Sequence, residues 1–82
     1  MADHTLKSHR FRTEREGDWR KLDALLQRAQ EKSVGSLTDE ELVSVPVLYR
    51  STLSSLSVAR SISLDQGVTA YLESLCLRAY LF

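Results

Sequence analysis

Few residues in this chain could do chemistry, and their spacing decides what they can do. His4 and His9 are the two histidines, Cys76 is the single cysteine, and Asp39, Glu40 and Glu41 form a run of carboxylates. A structural zinc site wants four ordered ligands, and no cysteine or carboxylate set stands at ligand spacing from either histidine. Serines recur at Ser51, Ser54, Ser55, Ser57, Ser61 and Ser63. A nucleophilic serine needs an adjacent base, and both histidines lie in the first nine residues, far from that run. Gly17, Gly35 and Gly67 are isolated, so no glycine-rich phosphate loop exists. Cys76 sits in LESLCLRAYLF with only Arg78 nearby to lower its pKa. Alone, it forms no internal disulfide, and it reads as a small buried hydrophobe in a reducing compartment. The three carboxylates follow Thr38 and suit the positive end of a helix better than acid–base work. These residues point away from an enzyme, and they imply no metal and no cofactor.

The elements around them read as helices. The chain has 82 residues, three glycines and one proline, and it is rich in Leu, Ala, Arg and Glu. That length supports one domain with a small core, and that composition favours helix over sheet. Residues 1–9 are polar and aperiodic and read as a disordered tail. Residues 10–82 read as a single helical domain. Thr13 and Glu16 make a capping box, followed by the stripe Trp19, Leu22, Leu25, Leu26 and Ala29. Phe11 precedes that cap as a candidate hydrophobic staple, Gly17 weakens the first turn, and Gly35 is a candidate helix stop. Thr38 and Glu41 make a second box, with Asp39 and Glu40 beside it. Pro46 then predicts either a short helix ending near Ser44 with a new one from Val45, or one kinked helix. The stripe there is Val45, Tyr49, Leu53, Leu56 and Arg60. Ser63 and Gln66 make a third box before Leu64, Val68, Leu72, Leu75, Ala79 and Phe82, flanked by Tyr71 and Cys76. Short connections make neighbouring helices antiparallel. The expected fold is all-α: a three-helix antiparallel bundle with helices about 13–33, 39–61 (interrupted or kinked near Pro46) and 64–82.

The arginines carry two readings. Arg60 continues the second stripe, Arg50 adjoins it, and Arg78 lies between Leu75 and Phe82. A buried arginine is costly unless paired, and Asp18, Asp23 and Glu73, or helix-end carbonyls, are the candidate partners. The stems otherwise pack at the core edge with heads in water, or the heads cluster and meet acidic groups or lipid headgroups. The serine run likewise reads as a close-packing face (Ser51, Ser55 and Ala59) or as a solvated one.

Lysines plus arginines number 11 and acidic residues 11, so the net charge is zero and nucleic acid is a poor partner. No run reaches the roughly 18 apolar residues of a membrane span, and MADHTLKSHR has no signal-peptide core.

The order FRTEREGDWRKLDALL, SLTDEELVSVPVLYRSTLSSLSVAR and AYLESLCLRAYLF resembles the start of stage II sporulation protein M-like membrane proteins. The matching positions are Phe11, Arg15, Trp19, Leu22, Leu25 and Leu26; then Leu42, Pro46, Leu48, Tyr49, Arg50, Leu56, Ala59 and Arg60; then Tyr71, Leu72, Leu75, Arg78, Ala79 and Tyr80. The P-x-L-Y-R and A-R elements between Pro46 and Arg60 are the most specific. The resemblance implies a cytoplasmic helical segment preceding membrane spans, at the inner face of the bacterial inner membrane. It implies a role in protein–protein contact or assembly, with a MoxR-type ATPase as one candidate partner. The sequence stops at AYLF, where such spans would begin. Trp19, Tyr49, Arg50, Arg60, Arg78 and Tyr80 are the candidate interaction or structural residues. The alternatives are a freestanding helical adaptor or homodimer, and then a nucleic-acid-binding helical domain.

Overall fold

No glycine or proline occurs before Gly17, and the first helix runs from Ala2 through that stretch. In the computed structural model the backbone is described for residues 2–62 and 65–82, and the side chains for residues 8–62 and 65–82. Three helices follow in order: α1 (Ala2–Glu31), α2 (Asp39–Ser61) and α3 (Gln66–Leu81). A short 3-10 turn, Val34–Ser36, links the first two. There is no strand among the described residues.

The first helix starts earlier than its capping pattern predicts. Residues 2–9 are helical rather than irregular, and Thr13 is interior. Its hydroxyl donates back to the His9 carbonyl at 2.8 Å instead of capping an amide. Ala, Leu, Lys and Arg upstream are all good helix formers, and no glycine or proline interrupts them. The long helix accounts for the molecule's greatest extent, 47 Å, since about 1.5 Å per residue over 30 residues gives about 45 Å.

The second box forms as read. The Glu41 amide donates to Thr38 Oγ1 at 3.1 Å, and the Thr38 amide donates to Glu41 Oε1 at 2.8 Å. From there α2 runs unbroken through Pro46, which lies on its exposed face. The third start differs. Asp65 is the cap, its carboxylate accepting the Gly67 amide at 2.6 Å. Ser63 and Leu64, placed in a capping box and a stripe by the sequence, lie outside the described residues. A Cβ at Gly67 would stand 2.9 Å from Asp65 Oδ1, so a larger residue there would make the capping carboxylate shift.

Contacts fix the direction of each helix. Arg28 near the end of α1 meets Glu41 at the start of α2, while Arg15 reaches Ser55 further along. These two helices are therefore antiparallel. Asp23 of α1 meets Tyr71 and Arg78 of α3, and α2 packs against both neighbours.

The core gathers Trp19, Leu22, Leu25 and Leu26 from α1, Leu72, Leu75 and Cys76 from α3, and Val45, Leu48, Leu56 and Ala59 from α2. The α1 stripe is as read. Phe11 is no staple before a cap: it lies inside α1, buried, with its ring 5.7 Å from that of Trp19. In α2 the inward face is rotated from the expected one. Thr52 and Ser55 are buried, whereas Leu53 and Arg60 face outward and Tyr49 is half-buried. Thr52 satisfies its hydroxyl on the Leu48 carbonyl at 2.8 Å. The small residues Thr52, Ser55 and Ala59 allow neighbouring helices close to this one. That answers the serine run in part, because Ser54 and Ser57 are exposed.

One 18-residue window of α2 has a mean hydropathy of 1.2, enough by length and composition to cross a membrane. In the bundle that apolarity serves the core through Val45, Leu48, Leu56 and Ala59, although Val43 and Val47 remain exposed.

Two substitutions test the early start of α1. Thr13→Ala is expected to leave stability unchanged or raise it by up to about 0.5 kcal/mol, where loss of a true cap would cost about 1 kcal/mol. Gly17→Ala is expected to add about 0.5–1 kcal/mol, because nothing lies within 4 Å of the new Cβ. Urea unfolding followed by circular dichroism measures both.

Candidate functional site

The residues singled out by type do not converge on one place. Trp19 is buried in the core and Tyr49 is half-buried beside it, while Arg50 and Tyr80 are exposed. Arg60 and Arg78 lie on different helices and face different neighbours. Arg60 Nη2 donates to Glu73 Oε2 at 2.6 Å, joining α2 to α3. Arg78 Nη1 donates to Asp23 Oδ1 at 2.8 Å, joining α3 to α1. Glu73 and Asp23 are two of the three partners the sequence suggests. Asp18 is exposed and takes no part in these pairs.

Asp23 does more than pair with an arginine. Its other oxygen accepts the Tyr71 hydroxyl at 2.9 Å. Tyr71 and Arg78 stand two turns apart on α3 and so share a face, which lies along the α1 stripe beside Asp23. Burial first, and then the bond to Asp23, pushes the Tyr71 hydroxyl up to about 12. A phenol held neutral in this way is a hydrogen-bond donor, not a base.

A second tie was not legible in the sequence. Arg28 pairs with the Glu41 carboxylate that also closes the α2 capping box. Arg28 first, then the Thr38 amide, holds the Glu41 carboxyl down at about 2. The same bond raises the Arg28 pKa. A third lies near the middle of the bundle, where Arg15 stacks 4.8 Å above the Phe11 ring and Nη1 donates to buried Ser55 Oγ at 3.4 Å. The only signals for these contacts are i, i+4 spacings on α1, which say which residues share a face but not what they face.

Cys76 is buried, and burial pushes its thiol pKa up against the weaker pull of Arg60. That disfavours the thiolate a nucleophile needs. Among the described residues no three His, Cys, Asp or Glu side chains gather at metal-binding range. His9 is exposed, and the side chain of His4 lies outside the described residues. The arrangement can hold helices together: Asp23, Glu41 and Glu73 meet Arg78, Arg28 and Arg60 across helix boundaries.

Residues 9–82 match a family model described as Domain of unknown function (DUF8413). The chain belongs to that family. No curated protein and no solved structure matches it. The DUF8413 match covers α1 from His9 onward and the whole of α2 and α3, together with each of the ties that cross between them.

Two pH limits follow, with opposite signs. Glu41 has a folded pKa below its ordinary 4.5, so its contribution is complete above about pH 4.5 and is lost as pH falls toward 2. Tyr71 has a folded pKa above its ordinary 10, so its contribution is complete below about pH 10 and is lost as pH rises through 12. Glu41→Gln is expected to flatten the acid limb of a stability–pH curve and Tyr71→Phe the alkaline limb, each leaving the other limb unchanged. Thermal melts across pH measure both.

Proposed function

We propose that this domain is a non-catalytic helical module that works by contact with another protein surface. The observation that carries this reading is the apolar end of the bundle where α3 finishes. Tyr80 is 75 % exposed and Leu81 73 %, with Leu77 and Phe82 also open. Antiparallel packing brings the start of α2 to the same end, and there Val43 and Val47 are exposed. A cluster of large exposed apolar residues on a small domain is characteristic of an interaction surface. The polar residues favour the same reading, since Arg28, Arg60 and Arg78 are engaged within the fold.

The resemblance to stage II sporulation protein M-like membrane proteins gives this module a setting. In that setting it is the cytoplasmic region of a multi-span bacterial membrane protein, held at the inner face of the membrane and assembling with partner proteins. A MoxR-type ATPase is the partner to test first. A freestanding adaptor or homodimer is the second reading, favoured by the same apolar end, which would then meet its own copy.

The native gene product separates the two. Its mass and fractionation in its own cells are expected to show a protein well above 9.3 kDa, recovered from membranes only with detergent. A soluble product of about this mass would contradict the membrane setting. Light scattering on the isolated domain, with Leu77→Glu and Tyr80→Glu beside the parent, would then show whether the apolar end joins two copies.

A further inference from the structure

Part of the outer face of α2 is apolar, although the bundle leaves it in water. Only 33 % of the apolar 18-residue window of this helix is buried. Val43 is 70 % exposed and Val47 60 %, and Pro46 beside them is exposed as well. The residues that bracket this patch are charged. Glu40 lies one turn before Val43 and Arg50 one turn after Val47, and both are exposed. Neither takes part in an ion pair among the described residues.

Glu40, Val43, Val47 and Arg50 follow one another at steps of three, four and three residues. That is the spacing of the seam along which two helices pack side by side. Two copies of this seam laid antiparallel complement each other. Val43 of one helix faces Val47 of the other, and Glu40 faces Arg50. A twofold axis between Val43 and Val47 then repeats every contact, as an isologous dimer requires. A parallel pair would instead set Glu40 on Glu40 and Arg50 on Arg50, like charge on like. Asp39, exposed beside Glu40, adds to the negative charge that the Arg50 of a second copy meets.

We propose that a second copy of this chain docks here, α2 against α2 in antiparallel orientation. Val43 and Val47 of the two copies form the centre, and two reciprocal Glu40–Arg50 pairs close its ends. The patch is short, so the dimer is a weak one that forms as concentration rises. The inference rests on the reading of this end of the bundle as a protein-contact surface, and it names the partner of the α2 part. It uses neither Leu77 nor Tyr80 of α3.

Sedimentation equilibrium of the whole chain tests this. The parent is expected to approach twice 9.3 kDa as its concentration rises toward about 1 mM. Val47→Glu, at an exposed position, is expected to keep the helical circular dichroism of the parent and to stay monomeric. Glu40→Lys and Arg50→Glu each set like charges against one another across their own dimers, and each is expected to weaken dimerisation about tenfold. An equimolar mixture of those two variants has opposite charges at both contacts, and it is expected to recover the parent's affinity. A parent that stays monomeric, a Val47→Glu chain that dimerises like the parent, or a mixture that associates no better than its components would each overturn the inference. A dimer dissolved by Tyr80→Glu but not by Val47→Glu would put self-association on α3; that overturns this inference and leaves the apolar end as a contact surface.

Discussion

Asp23 closes the bundle. The α1 and α3 helices are separated in sequence by the whole of α2, so no short loop holds them in register. Their shared apolar stripes supply attraction without direction. The Asp23 carboxylate supplies the direction by accepting Tyr71 through one oxygen and Arg78 through the other. Rotating or sliding α3 along α1 by one residue breaks both bonds at once. The apolar end near Tyr80 depends on this alignment, because it involves the placement of α3 against its neighbours.

The other ties follow the same plan at other heights. Arg28 and Glu41 fasten the end of α1 to the start of α2, at a carboxylate already fixed by the Thr38 box. Arg60 and Glu73 fasten α2 to α3. Partly exposed pairs of this kind are each worth at most about 1 kcal/mol. The bulk of the stability comes from buried side chains such as Leu22, Leu72 and Leu75, whose individual truncation to alanine costs about 2–5 kcal/mol. The ion pairs therefore choose among packings that the core alone would nearly allow. A core this small gains from close helix approach, which explains Thr52, Ser55 and Ala59 at the inward face of α2.

Much of this fold is legible in the sequence, for physical reasons. The Trp19, Leu22, Leu25 and Leu26 stripe has a helical period that no other element satisfies. The Thr38 and Glu41 box is local chemistry, and it forms as read. Thr13 and Glu16 have the same spacing and make no cap, because a box marks a helix start only where something upstream prevents helix. Nothing upstream of Thr13 does. In α2 Val45 and Leu56 face inward as the stripe predicts, but small residues, Thr52, Ser55 and Ala59, fill the crowded positions between two helices and rotate the buried face. Leu53 and Arg60 consequently turn outward. Charge narrows the partners of Arg60 and Arg78 to a short list that includes Glu73 and Asp23, but which arginine meets which carboxylate, like Tyr71 on Asp23 and Arg28 on Glu41, depends on inter-helix register. Functional residues were the least legible, since the chain concentrates no reactive groups and several of its charged side chains serve as ties between helices.

The central claim is that the arginines picked out by the sequence act as inter-helix ties. A double-mutant cycle on Asp23→Asn and Arg78→Gln, read by urea unfolding, tests it most directly. The account predicts a coupling of about 0.5–1 kcal/mol between the two positions, the range for a partly exposed pair in direct contact. Strictly additive losses, with no coupling, would mean that Arg78 does not hold α3 to α1 and would contradict the account.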